Sequence, residues 1–433
     1  MINSNKKNNK LYSLRDIING VFFSFSELFT PISFLILIPI FVKYLGIEKY
    51  GLWVLIFSIA NFSKIASSGI STGIIRLLNN SSNNQNQSNL NFSFIFLILS
   101  IVLAFFLLSI IIFYFNLIPI NNEFKNDEIS ILILLAITFT LLKIIEQNLL
   151  SVPIAYQEFI LNIKLSLFSK FIIFVLSIFL IIFYQNIKLL LFINTIAQSI
   201  ILIIEVLIIN KIYKIFKFEK LNKKQIIKNN YLILNFIKGL FINNLITITG
   251  NNIDKIIVNT LLGLETLAFY NIAFSIYQII HSAYSSFFFV IYPKILKIKS
   301  KKVMFQAFIK SQIYILFFGF IGLFFIFLFS EKFIQLWLNF DFNYKIINYL
   351  NLFLIINLLM LPSIVIYYFL MTSKNTNSIA KYGLYSTILT ISLMFILGIK
   401  YSVIGIIFSR ASVIFIYFFS INELLKNFKK NNE

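Results

Sequence analysis

Ile313-Tyr314-Ile315-Leu316-Phe317-Phe318-Gly319-Phe320-Ile321-Gly322-Leu323-Phe324-Phe325-Ile326-Phe327-Leu328-Phe329 decides the fold. The run carries no charge and no proline, and its apolar residues do not alternate with polar ones. As a helix it rises about 1.5 Å per residue, so with its flanks it crosses a hydrocarbon core of about 30 Å. Transmembrane barrel strands would alternate over segments of roughly ten residues, and neither this run nor Phe171–Phe183 does so. Apolar runs 18 to 28 residues long recur along the 433-residue chain, of which 59% is hydrophobic and 12% charged. The mean hydropathy is +0.89. A soluble domain of that balance would expose patches that aggregate. The reading is an all-α polytopic membrane protein.

Working outward, spans are expected at 17–43, 49–78, 91–116, 128–152, 165–184, 188–210, 231–262, 264–292, 307–330, 346–370, 379–398 and 401–422. With the N-terminus in the cytoplasm, 23 of the 37 Lys and Arg residues fall in cytoplasmic segments and 7 in outer loops. The positive-inside rule selects this orientation, with both termini cytoplasmic. It rests mainly on seven lysines from Lys211 to Lys228 and five from Lys294 to Lys302, which suit anionic lipid headgroups. The organisation expected is a cytoplasmic segment 1–16, a six-helix bundle 17–210, a basic linker 211–230, a second bundle 231–422 and a cytoplasmic tail 423–433. The first apolar stretch, Ile17 to Val42, is too long for a cleavable signal and is expected to remain as a span.

Composition also excludes. Without cysteine there is no disulfide, thiolate metal site or cysteine nucleophile, and the single histidine, His281, rules out a multi-histidine centre. The net charge of +21 is not read as a nucleic-acid signal, because the lysines gather in the connecting segments. The longest outer loop, Glu331 to Lys345, has about fifteen residues, too few to fold an external catalytic domain. The Asn-rich segment 79–91 is a polar linker.

Leu45-Gly46-Ile47-Glu48 recurs as Leu262-Gly263-Leu264-Glu265, an offset of 217 (263 minus 46), and Phe57-Ser58-Ile59 recurs as Phe274-Ser275-Ile276 in the same frame. Each copy sits in the tight outer turn between the first two helices of a six-helix half, where glycine accepts positive φ. Six spans per half preserve orientation, so the halves are parallel repeats of the kind that place a transport pathway between them.

Gly46-Ile47-Glu48-Lys49-Tyr50-Gly51-Leu52-Trp53, followed by Ser68-Gly69-Ile70-Ser71-Thr72-Gly73-Ile74-Ile75-Arg76, resembles the start of Wzx-type polysaccharide flippases of the multidrug, oligosaccharidyl-lipid and polysaccharide (MOP) exporter superfamily. Asn252-Ile253-Asp254-Lys255-Ile256-Ile257, Leu262-Gly263 and Tyr270-Asn271-Ile272-Ala273 look like the matching segment of the second half. Ser68 departs from the acidic residue of many relatives, so no acidic role transfers there. The resemblance implies alternating access that moves an undecaprenyl-diphosphate-linked oligosaccharide from the cytoplasmic to the periplasmic leaflet of a bacterial inner membrane, for O-antigen or capsule assembly. It also implies a polymerase and chain-length proteins as pathway partners.

An ionisable residue deep in a span costs about 2.5–3.5 kcal/mol on insertion scales, so each needs an account. Lys170, Lys238 and Lys310 lie within two turns of the cytoplasmic face and can snorkel, and Glu205 is expected to do likewise toward Lys211. Lys143 and Glu146, three apart, suit a local ion pair. Glu27 is ten residues into the first span, roughly 15 Å deep. Lys64 lies among Asn61, Ser63, Ser67 and Ser68; His281 lies beside Gln278 and Ser282; Asp254, Lys255 and Arg410 complete the set. The 217-residue frame carries Lys64 onto His281 and Asn61 onto Gln278, which suggests matching polar positions facing a shared axis. The structural alternatives are a neutral His281 bonded to a neighbouring helix and a Lys64–Glu27 ion pair.

The diphosphate and sugar of such a lipid cannot cross hydrocarbon without losing water from charges and hydroxyls. A cationic, water-filled cleft lowers that barrier while the polyprenyl tail stays in lipid. Lys64 and Arg410 are the expected diphosphate contacts, with His281, Lys255, Asn61 and Gln278 beside them, and Glu27 and Asp254 pair with cations or take part in coupling. Moving an anion out of a negative cytoplasm is downhill by about 2.3 kcal/mol per charge per 100 mV. Proton or sodium coupling is compatible with this direction and not demanded by it. No cofactor, metal site or enzymatic step is expected. The competing readings are an organic-cation exporter of the same superfamily, which needs unpaired acids in its cavity, and a membrane glycan polymerase, which needs a larger external loop. No G-x-x-x-x-G-K-[ST] or H-E-x-x-H pattern occurs.

Overall fold

The computed structural model describes residues 14–64, 70–79, 126–156, 158–213, 223–296, 300–339, 343–372 and 376–414. Their regular elements are helices, with no strand among the described residues: α1 (Leu14–Leu45), α2 (Ile47–Asn61), α3 (Ile70–Asn79), α4 (Asn126–Ala155), α5 (Phe159–Tyr184), α6 (Ile187–Tyr213), α7 (Lys223–Leu296), α8 (Lys301–Leu338), α9 (Tyr344–Thr372) and α10 (Thr376–Ser409). The expected third span, 91–116, and most of the Asn-rich linker lie outside the described residues. Seven of the described helices hold segments long and apolar enough to cross a membrane. The protein is a multi-pass helical membrane protein.

Two of these elements are hairpins. α7 breaks at Gly263 (φ 84°, ψ 175°) and α10 at Tyr401 and Ser402 (φ of 53° at Ser402). Gly46, between α1 and α2, has φ 86° and ψ 162°, almost the conformation of Gly263. The repeated Leu-Gly pair thus makes the same turn twice. A Cβ at either glycine would meet nothing within 4 Å, so backbone conformation alone demands glycine. This region of φ and ψ is essentially closed to other residues, at a cost of about 1–3 kcal/mol. Gly46→Ala and Gly263→Ala are each expected to lose about that much, seen as a lower unfolding midpoint in detergent; unchanged midpoints for both would show that the turns carry no strain.

The other turns at this end use capping. Gln185 takes φ 49°, and the Asn186 carboxamide oxygen accepts from the Lys188 and Leu189 amides, closing the first turn of α6. Asn343 does the same for Lys345 at the start of α9. Antiparallel alternation puts all five turns, near residues 46, 185, 263, 340 and 402, on one end of the bundle, opposite the lysine-rich connections.

Burial is inverted relative to a soluble protein. Phe317, Phe318, Phe324, Phe325 and Phe329 of the deciding run are exposed, whereas Glu146, Asn194, Gln198, Glu205, Asp254 and Asn357 are buried. The apolar outside faces lipid tails, and the polar groups satisfy one another inside. α1 packs on α5, α4 on α6, α5 on α6, and α9 on α7, α8 and α10, while α2 packs on both α4 and α7. The α2–α7 contact joins the two halves. There the Gly51 backbone lies directly against the Leu264 carbonyl, and Asn271 donates to the Tyr50 hydroxyl at 2.9 Å.

Candidate functional site

The candidate site forms where the Gly263 hairpin and the residues beyond the Ser402 turn meet α2. Asp254 lies on the first arm of α7 and Tyr270 on the second, equally far from residue 262, so the hairpin sets them face to face. The Tyr270 hydroxyl donates to Asp254 Oδ2 at 2.6 Å. Arg410 donates through Nη2 to the same oxygen at 2.5 Å and through Nε to the Tyr270 hydroxyl at 3.4 Å. Asp254 is fully buried and Arg410 largely so. A buried carboxylate without such partners would be prohibitively costly. This network accounts for Arg410 and for Asp254 Oδ2, while Asp254 Oδ1 has no hydrogen-bond partner among the described residues.

A second cation stands beside the pair. The Arg410 guanidinium lies 4.4 Å from the centre of the Phe274 ring and Lys255 Nζ lies 5.1 Å from it, both within cation–π range. Lys255 also donates to the Asn251 carbonyl at 2.9 Å. Phe274, Tyr270 and Tyr277 pack around Phe353 of α9 with ring centroids 5.1–5.6 Å from it, a rigid aromatic floor. Further along, His281 Nδ1 is 3.2 Å from the Asn357 carboxamide oxygen, and its ring stacks on Tyr277.

The α2 side ends abruptly. Asn61 Nδ2 donates to Asn252 Oδ1 of α7 at 3.3 Å. The next two amides, of Phe62 and Ser63, reach back only three residues, to Ile59 and Ala60. Ser63 Oγ bonds the Ala60 carbonyl at 2.6 Å and lies 3.2 Å from Thr140 Oγ1, pinning the break to α4. Lys64 follows at once. Its side chain is exposed. An ammonium exposed to hydrocarbon at this depth would be expensive, which favours polar surroundings for Lys64.

Among the residues singled out from sequence, the structure brings Asp254, Lys255 and Arg410 into one cluster, with Lys64 close to Lys255 and Asn61 tied to Asn252. Positions 64 and 281 correspond in number, but α2 is broken at 62–63 while α7 runs unbroken past His281. Gln278 is exposed, unlike Asn61. Glu27 falls within α1, and its side chain lies outside the described residues. Lys143 and Glu146 form the expected local pair at 2.9 Å. Glu205 does not snorkel toward Lys211: it is 1% exposed, because α6 turns that face inward against α4 and α5. Sequence reasoning missed Tyr270, Phe274, Phe353 and Asn357. Reflection about the Gly263 turn would have found Tyr270 opposite Asp254; for the residues of α9 there was no sequence signal.

A family model described as "Polysaccharide biosynthesis protein" matches residues 18–299, more than half of the chain. No curated protein sequence matches. Among solved structures, the lipid II flippase MurJ in an inward closed conformation aligns with a TM-score of 0.69 at 18% identity, covering 95% of this chain and 89% of that one. An inward-facing multidrug resistance MATE transporter of the MOP superfamily aligns with a TM-score of 0.65 at 14% identity, covering 94% and 96%. A MOP superfamily transporter from Pyrococcus furiosus aligns with 0.61 at 11% identity, covering 96% of each chain. With the paired glycine turns, the buried polar interior and the contact between halves, these findings place the chain in the polysaccharide biosynthesis protein family, built on the fold of MOP-superfamily transporters.

Proposed function

We propose that this protein is a flippase that moves a polyprenyl-diphosphate-linked glycan, of the undecaprenyl-linked oligosaccharide class, from the cytoplasmic to the periplasmic leaflet of a bacterial inner membrane. The observation that carries the reading is the sign of the charge around the cleft. Lys255 and Arg410 gather on the Phe274 ring beside Asp254, which Arg410 engages, and Lys64 follows the break in α2, the helix packed on α7. Grouped cations of this kind suit a diphosphate. Lys64 is the most accessible of the three and is assigned the first contact with the anion; Arg410 and Lys255 hold the floor on which the sugar-proximal end rests. An organic-cation exporter would need a carboxylate free to meet its substrate, and Asp254, one of the two acids marked for that role, is bonded to Arg410.

The transport cycle follows from the contacts between halves. Gly51 against Leu264, Asn271 on Tyr50, and Trp337 Nε1 donating to the Leu35 carbonyl at 3.2 Å join the halves at the glycine-turn end. In the expected orientation this end faces the periplasm, and export requires these contacts to part. The test is Lys64→Ala in a deletion strain. Surface glycan is expected to fall at least tenfold while lipid-linked glycan accumulates in the cytoplasmic leaflet, with Lys64→Arg retaining much of the export. Full export by Lys64→Ala would sink the assignment.

A further inference from the structure

The most unusual group outside the cleft is Glu205. It lies eight residues before the end of α6, about 12 Å along the helix axis. It is 1% exposed, and neither carboxyl oxygen has a hydrogen-bond partner among the described residues. On the same face of α6, about 16 and 10 Å toward its start, Asn194 and Gln198 are buried too, and each donates elsewhere. Asn194 Nδ2 donates to Ser177 at 2.9 Å, and Gln198 Nε2 donates to Glu146 at 2.7 Å, which leaves both amide oxygens without a donor. α6 therefore presents a buried face of acceptors short of hydrogens.

The charges facing Glu205 from α4 are Glu146 and Lys143. Lys143 already donates to Glu146 at 2.9 Å and to Ser169 of α5 at 2.8 Å. On α5 itself, Lys164 is exposed and Lys170 half-buried. Among the described residues, Lys143 serves Glu146 and no side chain donates to Glu205. Toward the lysine-rich end, an apolar cluster including Ile74, Leu78, Leu149, Leu165 and Ile209 closes the space beyond Glu205. Water does not reach the carboxyl freely.

We propose that Glu205 is a proton-carrying site of the transport cycle. It holds a proton while the apolar cluster is shut, and it exchanges that proton with the lysine-rich side when the cluster opens. The O–H bond of the carboxyl forms and breaks, and no other bond changes. The coupling role rests on the transport reading above; the protonation itself does not.

The experiment has two arms. Infrared difference spectroscopy of the purified protein across a pH step is expected to show a protonated-carboxyl band that Glu205→Gln lacks and Glu205→Asp retains at a shifted position. This arm reads the site even if no glycan is carried. In cells, collapsing the proton gradient is expected to cut export at least fivefold for the wild type and to leave the residual export of Glu205→Gln unchanged. A spectrum identical in wild type and Glu205→Gln overturns the proposal, as does unaltered gradient dependence in that variant. Stabilisation by sodium of the wild type but not of Glu205→Gln would also overturn it, assigning the site to a metal cation instead.

Discussion

Arg410→Ala is expected to destabilise the protein by about 3–5 kcal/mol and to abolish export. The physical reason is the carboxylate it leaves behind. Asp254 is fully buried, and with Arg410 gone only the Tyr270 hydroxyl still donates to it among the described residues. Breaking a buried ion pair from one side leaves a charge that has lost both water and its counter-ion. Asp254→Asn is expected to cost a similar amount from the other side, since Arg410 then faces Tyr270, Phe274 and Lys255 with no anion. The double variant Asp254→Asn with Arg410→Gln is expected to recover most of the stability, because a neutral amide pair needs no counter-charge. Unfolding midpoints of the four proteins in detergent measure this cycle. Additive losses would show that the two residues do not act as a pair. Export separates the roles further: if Arg410 also meets the diphosphate, the double variant folds and still does not transport.

Gly51→Ala is expected to part the two halves at the glycine-turn end. A Cβ at position 51 would collide with the main-chain carbonyl of Leu264, and backbone meeting backbone has no side chain to swing away. Overpacking of this kind costs typically 1–3 kcal/mol, and the whole of it falls on the state in which α2 touches α7. The Tyr50–Asn271 hydrogen bond, one residue from the collision, is strained with it. The conformational balance shifts toward the opposite state by about tenfold for each 1.4 kcal/mol of that cost. The chain has no cysteine, so Ala268→Cys, buried on the same end of α7, supplies the sole thiol for an impermeant maleimide applied from the periplasm. Labelling is expected to be slow with Gly51 and at least tenfold faster with Gly51→Ala. Equal rates would mean that this contact does not gate the halves.

The two glycines make the division between sequence and structure concrete. Gly46 and Gly263 announce themselves by repetition, and a turn between two spans gives glycine a local reason to be there; their φ values of 86° and 84° are what that reasoning requires. Gly51 lies only five residues from Gly46 in the same quoted motif, but its reason is a helix that arrives from more than 200 residues away. The same split runs through the charges. The Lys143–Glu146 pair was legible because three residues along a helix is a distance that any helix imposes. The Arg410–Asp254 pair, separated by 156 residues, was not: both residues were marked as costly, but nothing in their spacing said that they answered each other. Glu205 reads as a peripheral group on its own helix, near Lys211, and only the packing of α6 on α4 and α5 buries it.

By itself, then, the sequence determined what depends on the solvent and on local geometry: a membrane-spanning helical chain, its expected direction through the bilayer, the two identical turns and the short list of residues too charged to be idle. Hydrophobic length and backbone sterics act residue by residue, so they can be read in order. Only the tertiary structure decided which of those charges neutralise each other, that α2 breaks before Lys64, and that Phe274 lies beside two cations. Those outcomes depend on electrostatics at a few ångströms between distant segments, and contact at that range is a property of packing rather than of order along the chain.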